Sequence, residues 1–424
     1  MKRKLMLMAA GVFLIALLTG CAGSGTHAAK EKEVIHLWHP LTGGDGDYFN
    51  EIVDRFNAVS QDYRVKVSVF KWDDYNAKLS NGIASDAGPE LAVARNSFYS
   101  FLRAKDLTLD LTDAAHTAGI PWQDYNPLAL SLVKEDERYY GSPIDTHPVV
   151  MFYNKDLLDR AGVLDPAGQP VFERSEAGFL EFLDKIAAVQ PKGQYPLALP
   201  TYSKSAEHWY LWNTWYAQNG GTGLLNADFS AADINRKAFY TSAGMESKLF
   251  NHPYILPDDT DFTQTFVSGR AAIIITGVWA TSKFMDQVPS LGAAAIPNLW
   301  NDQELYYGGS HVLIVPSNVM ETSKQTGAAQ FIKFFNENGL EWAKAGHVPV
   351  DTKIWTSKAY LDMPFRDLYT RLAGQLQYVE PQKDIFGIYE NLLSPLMESV
   401  WRGKYTPQQG YEELTADLNF QLSY

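Results

Sequence analysis

The feature that most restricts how this chain can fold is a strand pattern that breaks into a glycine-rich turn and then into an amphipathic helix, more than once. VIHLWH (34–39) is a short, mostly apolar run that stops at PLTGGDG. In YFNEIVDRFNA, Phe49, Ile52, Val53 and Phe56 then recur at i, i+3, i+4 and i+7, which is one face of a helix. YRVKVSVFKW alternates, with Val65, Val67 and Val69 on one side and Arg64, Lys66 and Ser68 on the other. A helix-like DDYNAKLSNGIAS and a short strand, ELAVAR, complete the series. Strands alternating with helices predict an α/β domain with a largely parallel sheet, and such sheets bind ligands beyond the carboxyl ends of their strands. That rule points to 38–44, 71–75 and 95–96.

The second half repeats the alternation without repeating the sequence. YPLAL (195–199), AAIIIT (271–276) and HVLIVP (311–316) read as strands, and SAEHWYLWNTWYAQNGG reads as a helix closed by Gly220 and Gly221. Ala328, Phe331, Ile332 and Phe335 fall on one helical face, and the C-terminal part is helical around IYENLLSPLMESVWRG. A chain of 424 residues exceeds what one modest core organises, so two domains are expected.

The N-terminus carries a different signal. Lys2, Arg3 and Lys4 precede a 14-residue apolar run, Leu5 to Leu18, followed by Thr19, Gly20 and Cys21. This is the layout of a secretory signal, and the run is short of the roughly 20 residues that a membrane-crossing helix needs. Residues 1–20 hold three basic and no acidic residues, so removing them takes the balance from 36 basic against 49 acidic to 33 against 49, a net charge of −16. That balance argues against a nucleic-acid partner, because phosphate binding needs clustered Lys and Arg. Cys21 is the one cysteine, which excludes an intramolecular disulfide and a cysteine-based zinc site. No cofactor and no metal site are expected. Aromatic residues make up 13% of the chain, with 11 Trp, an abundance that fits a core and also fits flat rings stacked on sugar faces.

Several of these segments resemble, in order, the extracellular solute-binding proteins of ABC importers, in particular the carbohydrate-binding family that includes maltose-binding protein. The segments are VIHLWHPLTGGDGDYFNEIVDRFN, YYGSPIDTHPVVMFYNKDLLDRAG and FVSGRAAIIITGVW, where Ile274 stands in place of the usual Met. GGSHVLIVPS, AGHVPVDTKI and WRGKYTPQQG follow in the family's order. Leu18-Thr19-Gly20-Cys21 is similar to the lipobox of bacterial lipoproteins. It implies cleavage before Cys21, lipid on that residue and anchoring to the cell membrane on its outer side, with 21–32 as a flexible tether. The resemblance implies a two-lobed fold, each lobe a mainly parallel sheet flanked by helices, joined by crossover hinges. Lobe one would comprise 33–146 with 311–347, and lobe two 147–310 with 348–424. It also implies a non-enzymatic monomer that carries a carbohydrate ligand to membrane-embedded permease subunits.

Candidate ligand residues follow from strand ends and from the family's positions. Trp279 leaves a buried strand after Gly277, at the position where the family stacks a sugar, although a core role is open to any Trp. Trp209, Trp212 and Trp215 lie three apart on one helix, a spacing typical of core; the resemblance directs Trp209 and Trp212 toward the cleft and leaves Trp215 in the core. Trp38 and His39 close the first strand, and Trp72, Tyr75, Arg95 and Asn96 stand at the next two strand ends. Arg95 also suits a surface ion pair. Asp145 sits in the first crossover, where a carboxylate accepts sugar hydroxyls or forms an Asx turn. Gly308 and Gly309 allow backbone to approach a ligand or simply serve a crossover. Two rival functions remain. A glycerophosphodiester- or glycerol-phosphate-binding member of the same family would want more basic residues in the cleft, and Lys383 is the basic residue nearest to that region in EPQKDIFGIYEN. A lipid-anchored glycosidase would need two carboxylates across a cleft, but there is no G-x-S-x-G and no segment resembles a hydrolase signature.

Overall fold

The computed structural model describes residues 31–423 except Lys204. The expected signal over 1–20 and the lipid attachment at Cys21 lie outside the described residues. Among the described residues no helix is long and apolar enough to cross a membrane.

The alternation read at the start of the chain folds locally, as one β-α-β-α-β run. Strand β1 (Glu33–His39) leads through the Gly43 turn into helix α1 (Gly44–Val59), then come β2 (Tyr63–Val69), α2 (Trp72–Ala84) and β3 (Leu91–Arg95), with α3 (Asn96–Ala104) next. β2, β1 and β3 are neighbours and parallel, as right-handed βαβ crossovers make them. Helix α1 buries Phe49, Ile52, Val53 and Phe56. The Phe49 ring lies 5.0 Å from Phe335 and 6.0 Å from Trp342, so the helix is held by aromatic packing from residues nearly 300 positions later. Phe49→Ala would open a cavity there at a cost of about 3–5 kcal/mol.

The sheet is completed by segments that arrive from elsewhere. β4 (Ser142–Pro143) ends in the first sheet, and after Ile144 alone β5 (Asp145–Asn154) belongs to the second. The second sheet then gains β6 (Tyr195–Ala198), β7 (Ala271–Gly277), β8 (Leu291–Ala294) and β9 (Tyr306–Gly309). After Ser310 alone, β10 (His311–Ile314) is back in the first sheet beside β3. A third passage follows the helix Gly339–Lys344, whose Trp342 is in the first core. The chain then reaches β11 (Val348–Pro349), which pairs with β5, and later β12 (Leu376–Gln377), which pairs with β9. The result is a two-lobed α/β protein with a five-stranded sheet in order β2-β1-β3-β10-β4 and a seven-stranded sheet around β5.

The second sheet departs from the mainly parallel expectation. β5 enters it from the lobe boundary, and β7, β8, β9 and β11 all run antiparallel to it; only β6–β7 and β9–β12 are parallel. The reason is that a crossover strand, not a βαβ unit, forms the centre of this sheet. The strands β5 and β7 are buried along almost their full length, which is why AAIIIT reads as a continuous apolar run.

Candidate functional site

A cavity of about 580 Å³ opens between the two sheets, where the carboxyl ends of the first lobe's strands face helices of the second. In the first lobe α2 begins at Trp72 immediately after β2, and α3 begins at Asn96 with no residue between it and β3. That abrupt strand-to-helix change leaves Trp72, Arg95 and Asn96 on the rim of the cavity. The Arg95 guanidinium lies over the Trp72 ring at 3.7 Å, close enough for a cation–π contact, and the His311 ring lies 6.4 Å from that of Trp72 with 28° between their planes. Asn96 is locked to the crossover: its backbone N–H donates to the Ser310 carbonyl at 3.0 Å, and its Oδ1 accepts from the Ser310 N–H at 3.3 Å.

The second lobe supplies a wall of rings. Helix α4 (Glu207–Gln218) presents its first turn to the cavity through Glu207, Trp209 and Tyr210. Tyr210 and Tyr307 stack at 4.6 Å with 15° between their planes, and Trp209 packs against Tyr307 at 5.1 Å and Tyr389 at 4.7 Å. Trp279, half-buried, stands edge-on to His147 at 5.5 Å and to Tyr210 at 6.3 Å. Tyr389 and Glu390 sit on a π-helical turn, Ile388–Leu393, an irregularity that often marks functional positions. Burial holds the Glu390 carboxyl above the usual range; Arg95 opposes this and Glu207 adds to it. The buried Trp209 indole N–H lies beside the Glu390 carboxyl and works against the effect of burial on it. Among the described residues that line the cavity Arg95 is the one Lys or Arg, against Asp45, Glu207 and Glu390.

Of the residues singled out in the sequence, Trp72, Arg95, Asn96, Trp209, Trp279 and Gly309 therefore meet at the cavity. The other ligand candidates do not line it, for identifiable reasons. Trp38 packs against Phe70 at 4.8 Å and under Gly82, because the side chain at the end of β1 turns behind the sheet. His39 is fully buried against Phe49, and its Nδ1 accepts the Leu41 N–H at 3.2 Å; burial keeps the ring neutral, with its pKa lowered to about 4. Tyr75 is buried, with its hydroxyl 2.7 Å from the Val93 carbonyl and 2.9 Å from that of Trp38. Trp212 stacks on Tyr216 at 4.7 Å inside the second core, beside the equally buried Trp215. Gly308 faces Leu376, which an added Cβ would meet at 2.7 Å.

Asp145 is the largest displacement from expectation. It is completely buried, and its oxygens already have protein donors: the His311 backbone N–H at 2.8 Å and the Trp342 indole at 2.9 Å. Around it stand His147 at 3.1 Å, His311 at 2.8 Å and His347 at 3.1 Å. Completely buried behind these groups, it does not line the cavity and does not reach a sugar there. Burial alone would raise its pKa, but the surrounding imidazoles hold it well below the usual carboxylate range. His147 is pushed down to about 3, mainly by burial. His347 is held up at about 9, because Asp145 and Asp45 outweigh the effect of burial. The expectation of no metal site rests on the lone cysteine; the folded chain brings together one carboxylate and three imidazoles, each with a ligand atom within 4.8 Å of the others. The sequence reading missed this group, and it missed Glu207, Tyr210, Tyr307, Tyr389 and Glu390. One signal was available: Asp145 and His147 lie two apart on a strand, hence on one face.

Comparison with known proteins fits this architecture. A family model described as bacterial extracellular solute-binding protein matches residues 51–362. The sn-glycerol-3-phosphate-binding periplasmic protein UgpB of Salmonella typhimurium is 23% identical over 416 residues, covering 91% of this chain and 92% of that protein. Its Escherichia coli K12 counterpart is 23% identical over 426 residues, 94% of each chain. Among solved structures, the GacH receptor of Streptomyces glaucescens, crystallised unliganded and with acarbose, superposes with a TM-score of 0.80 at 16% identity, covering 93% of this chain and 99% of that one. UgpB of Mycobacterium tuberculosis in complex with glycerophosphocholine gives a TM-score of 0.77 at 16% identity, with coverage of 93% and 99%.

Proposed function

Because the chain belongs to the family of bacterial extracellular solute-binding proteins, we propose that it captures a neutral mono- or oligosaccharide between its lobes and presents it to the permease of an ABC importer. The observation that carries this reading is the lining of the cavity. Trp72, Trp209, Tyr210, Trp279, Tyr307 and Tyr389 come from both lobes and offer flat apolar faces, while Asn96, Glu207 and Glu390 offer hydroxyl partners. A ligand that touches both lobes favours the closed arrangement of a hinged pair, so binding and closure are one event. Lobe boundaries near 146/147, 310/311 and 347/348 suit this motion; single residues separate the sheets at Ile144, two residues before the first of these, and at Ser310.

A second reading is favoured by the glycerol-phosphate-binding relatives, which match nine-tenths of the chain. Arg95, free of any acidic partner within ion-pair distance among the described residues, would then hold the phosphate. Calorimetry against maltose, maltotriose, trehalose, sn-glycerol-3-phosphate and glycerophosphocholine separates the two. Tight binding of a phosphate ester with no response to any sugar would overturn the carbohydrate assignment. The protein is further proposed to be a non-enzymatic monomer anchored by lipid on Cys21. Unchanged sugars after prolonged incubation, and an acylated N-terminus at residue 21 in membrane-fraction protein, are the expected observations. Released monosaccharide, or an unmodified Cys21 in the native host, would remove these points.

A further inference from the structure

We propose that Asp145, His147, His311 and His347 form a site for a divalent transition metal of the zinc class, set where the chain passes three times between the lobes. Three of the four side chains come from paired strands, and the fourth, His347, immediately precedes one. Asp145 and His147 share one face of β5, Gly309 pairs with His147 in the ladder just before His311, and Pro349 pairs with Asp145 just after His347. Donors fixed on hydrogen-bonded strands hold their geometry better than donors on loops.

The donor set selects the class of ion. Three imidazoles and one carboxylate suit zinc, cobalt, nickel or copper, whereas calcium and magnesium take oxygen ligands. The spacing approaches that of tetrahedral coordination, with the widest donor separation contracting by up to about 1.5 Å when an ion binds. Bonds of about 2.0–2.1 Å place tetrahedral ligand atoms roughly 3.3 Å apart. Here the nitrogens lie 3.1 Å (His147 Nδ1), 2.8 Å (His311 Nδ1) and 3.1 Å (His347 Nδ1) from the Asp145 oxygens, and all four donors lie within 4.8 Å of one another. His347 supplies an independent sign. Its ring is completely buried, and its Nδ1 faces Asp145 Oδ2 at 3.1 Å without hydrogen-bond geometry, so a buried imidazole nitrogen is aimed into the cluster.

The surroundings are those that orient metal ligands. The Trp342 indole lies parallel to the His347 ring, 4.2 Å away, and its N–H donates to Asp145. Asp45 Oδ2 stands 3.7 Å from His347 Nε2, the ring nitrogen remote from Asp145; that is beyond hydrogen-bond distance but close enough to orient the ring by its charge. Two carboxylates, Asp145 and Asp45, balance the two charges of the ion. His147 and His311 each line the ligand cavity, so the ion enters through the open cleft. Four protein ligands make the site a structural one that cross-links all three passages.

The test uses tag-free full-length mature protein, stripped with a chelator and titrated with zinc or cobalt. One zinc per chain by elemental analysis, and visible d–d bands of tetrahedral cobalt, are expected. At a hundredfold excess over Kd, zinc should raise Tm by about 3 degrees for a chain of this size. His347→Gln should abolish the cobalt bands, whereas His208→Gln, at a buried histidine bonded to Ser394, should keep them. If His347→Gln fails to fold, the wild-type stoichiometry and cobalt spectrum decide alone. Stripped wild type that stays folded but takes up no stoichiometric zinc and shows no tetrahedral cobalt spectrum would overturn the proposal. So would cobalt bands that survive in a folded His347→Gln.

Discussion

Adding one methyl group to Gly277 should weaken ligand binding without touching the ligand. Gly277 ends β7 with φ −82° and ψ 163°, a conformation any residue adopts, so alanine brings no backbone strain there. An added Cβ, however, would stand 1.8 Å from Cζ3 of Trp279 and 2.1 Å from Cε3 and Cη2. Carbon atoms in contact need about 3.5–4.0 Å, so the indole must shift by well over an ångström. Its present position is set by edge contacts to His147 and Tyr210, and the open direction is the cavity itself. If one indole face covers roughly 80 Å² of ligand at about 25 cal/mol per Å², losing that stack costs about 2 kcal/mol, or about 30-fold in Kd. Gly277→Ala should therefore approach Trp279→Ala in affinity while its Tm stays within a few degrees of wild type. The assay is calorimetry with whichever sugar of the panel binds, alongside thermal unfolding of each variant. Wild-type affinity in Gly277→Ala would show that the indole does not hold the ligand, and the reasoning would fail.

Three further outcomes are expected. Glu246, buried with neither carboxylate oxygen hydrogen-bonded, has its pKa raised by desolvation. The unfolded chain therefore ionises first as pH rises above the ordinary glutamate value, and stability falls; Glu246→Gln should raise Tm at pH 8 and change little at pH 4, and equal Tm values at pH 8 would count against it. Tyr75→Phe should lower stability by about 1 kcal/mol in urea titration, through loss of its carbonyl contacts, and leave ligand affinity unchanged; a weakened Kd would return Tyr75 to the site. Arg95→Ala should reduce binding of a neutral sugar by about tenfold, and loss of all detectable binding to a phosphate ester in the same variant would mark Arg95 as the anion partner.

The order of strands and helices in the first lobe was already settled along the chain, because period-two and period-3.6 patterns report which side of a strand or helix meets a core. For the same reason the strand ends brought Trp72, Arg95 and Asn96 into view, and the glycine before Trp279 marked a side chain leaving the sheet. Helix α4 shows where such patterns run out. It is buried nearly all round, so Trp209 and Trp212 are equivalent in spacing. Only the way its first turn abuts the cleft sends Trp209 to the cavity and Trp212 to the core. The antiparallel second sheet is likewise invisible locally, since strand direction depends on which lobe the chain comes from. Asp145 needed the whole fold: its partners lie 2, 166 and 202 residues away, and a carboxylate that sequence presents to solvent sugar is claimed instead by three imidazoles that only the crossovers bring together. Side-chain periodicity is a local property of the backbone, whereas a site is an intersection of distant segments, and that intersection is decided by tertiary packing.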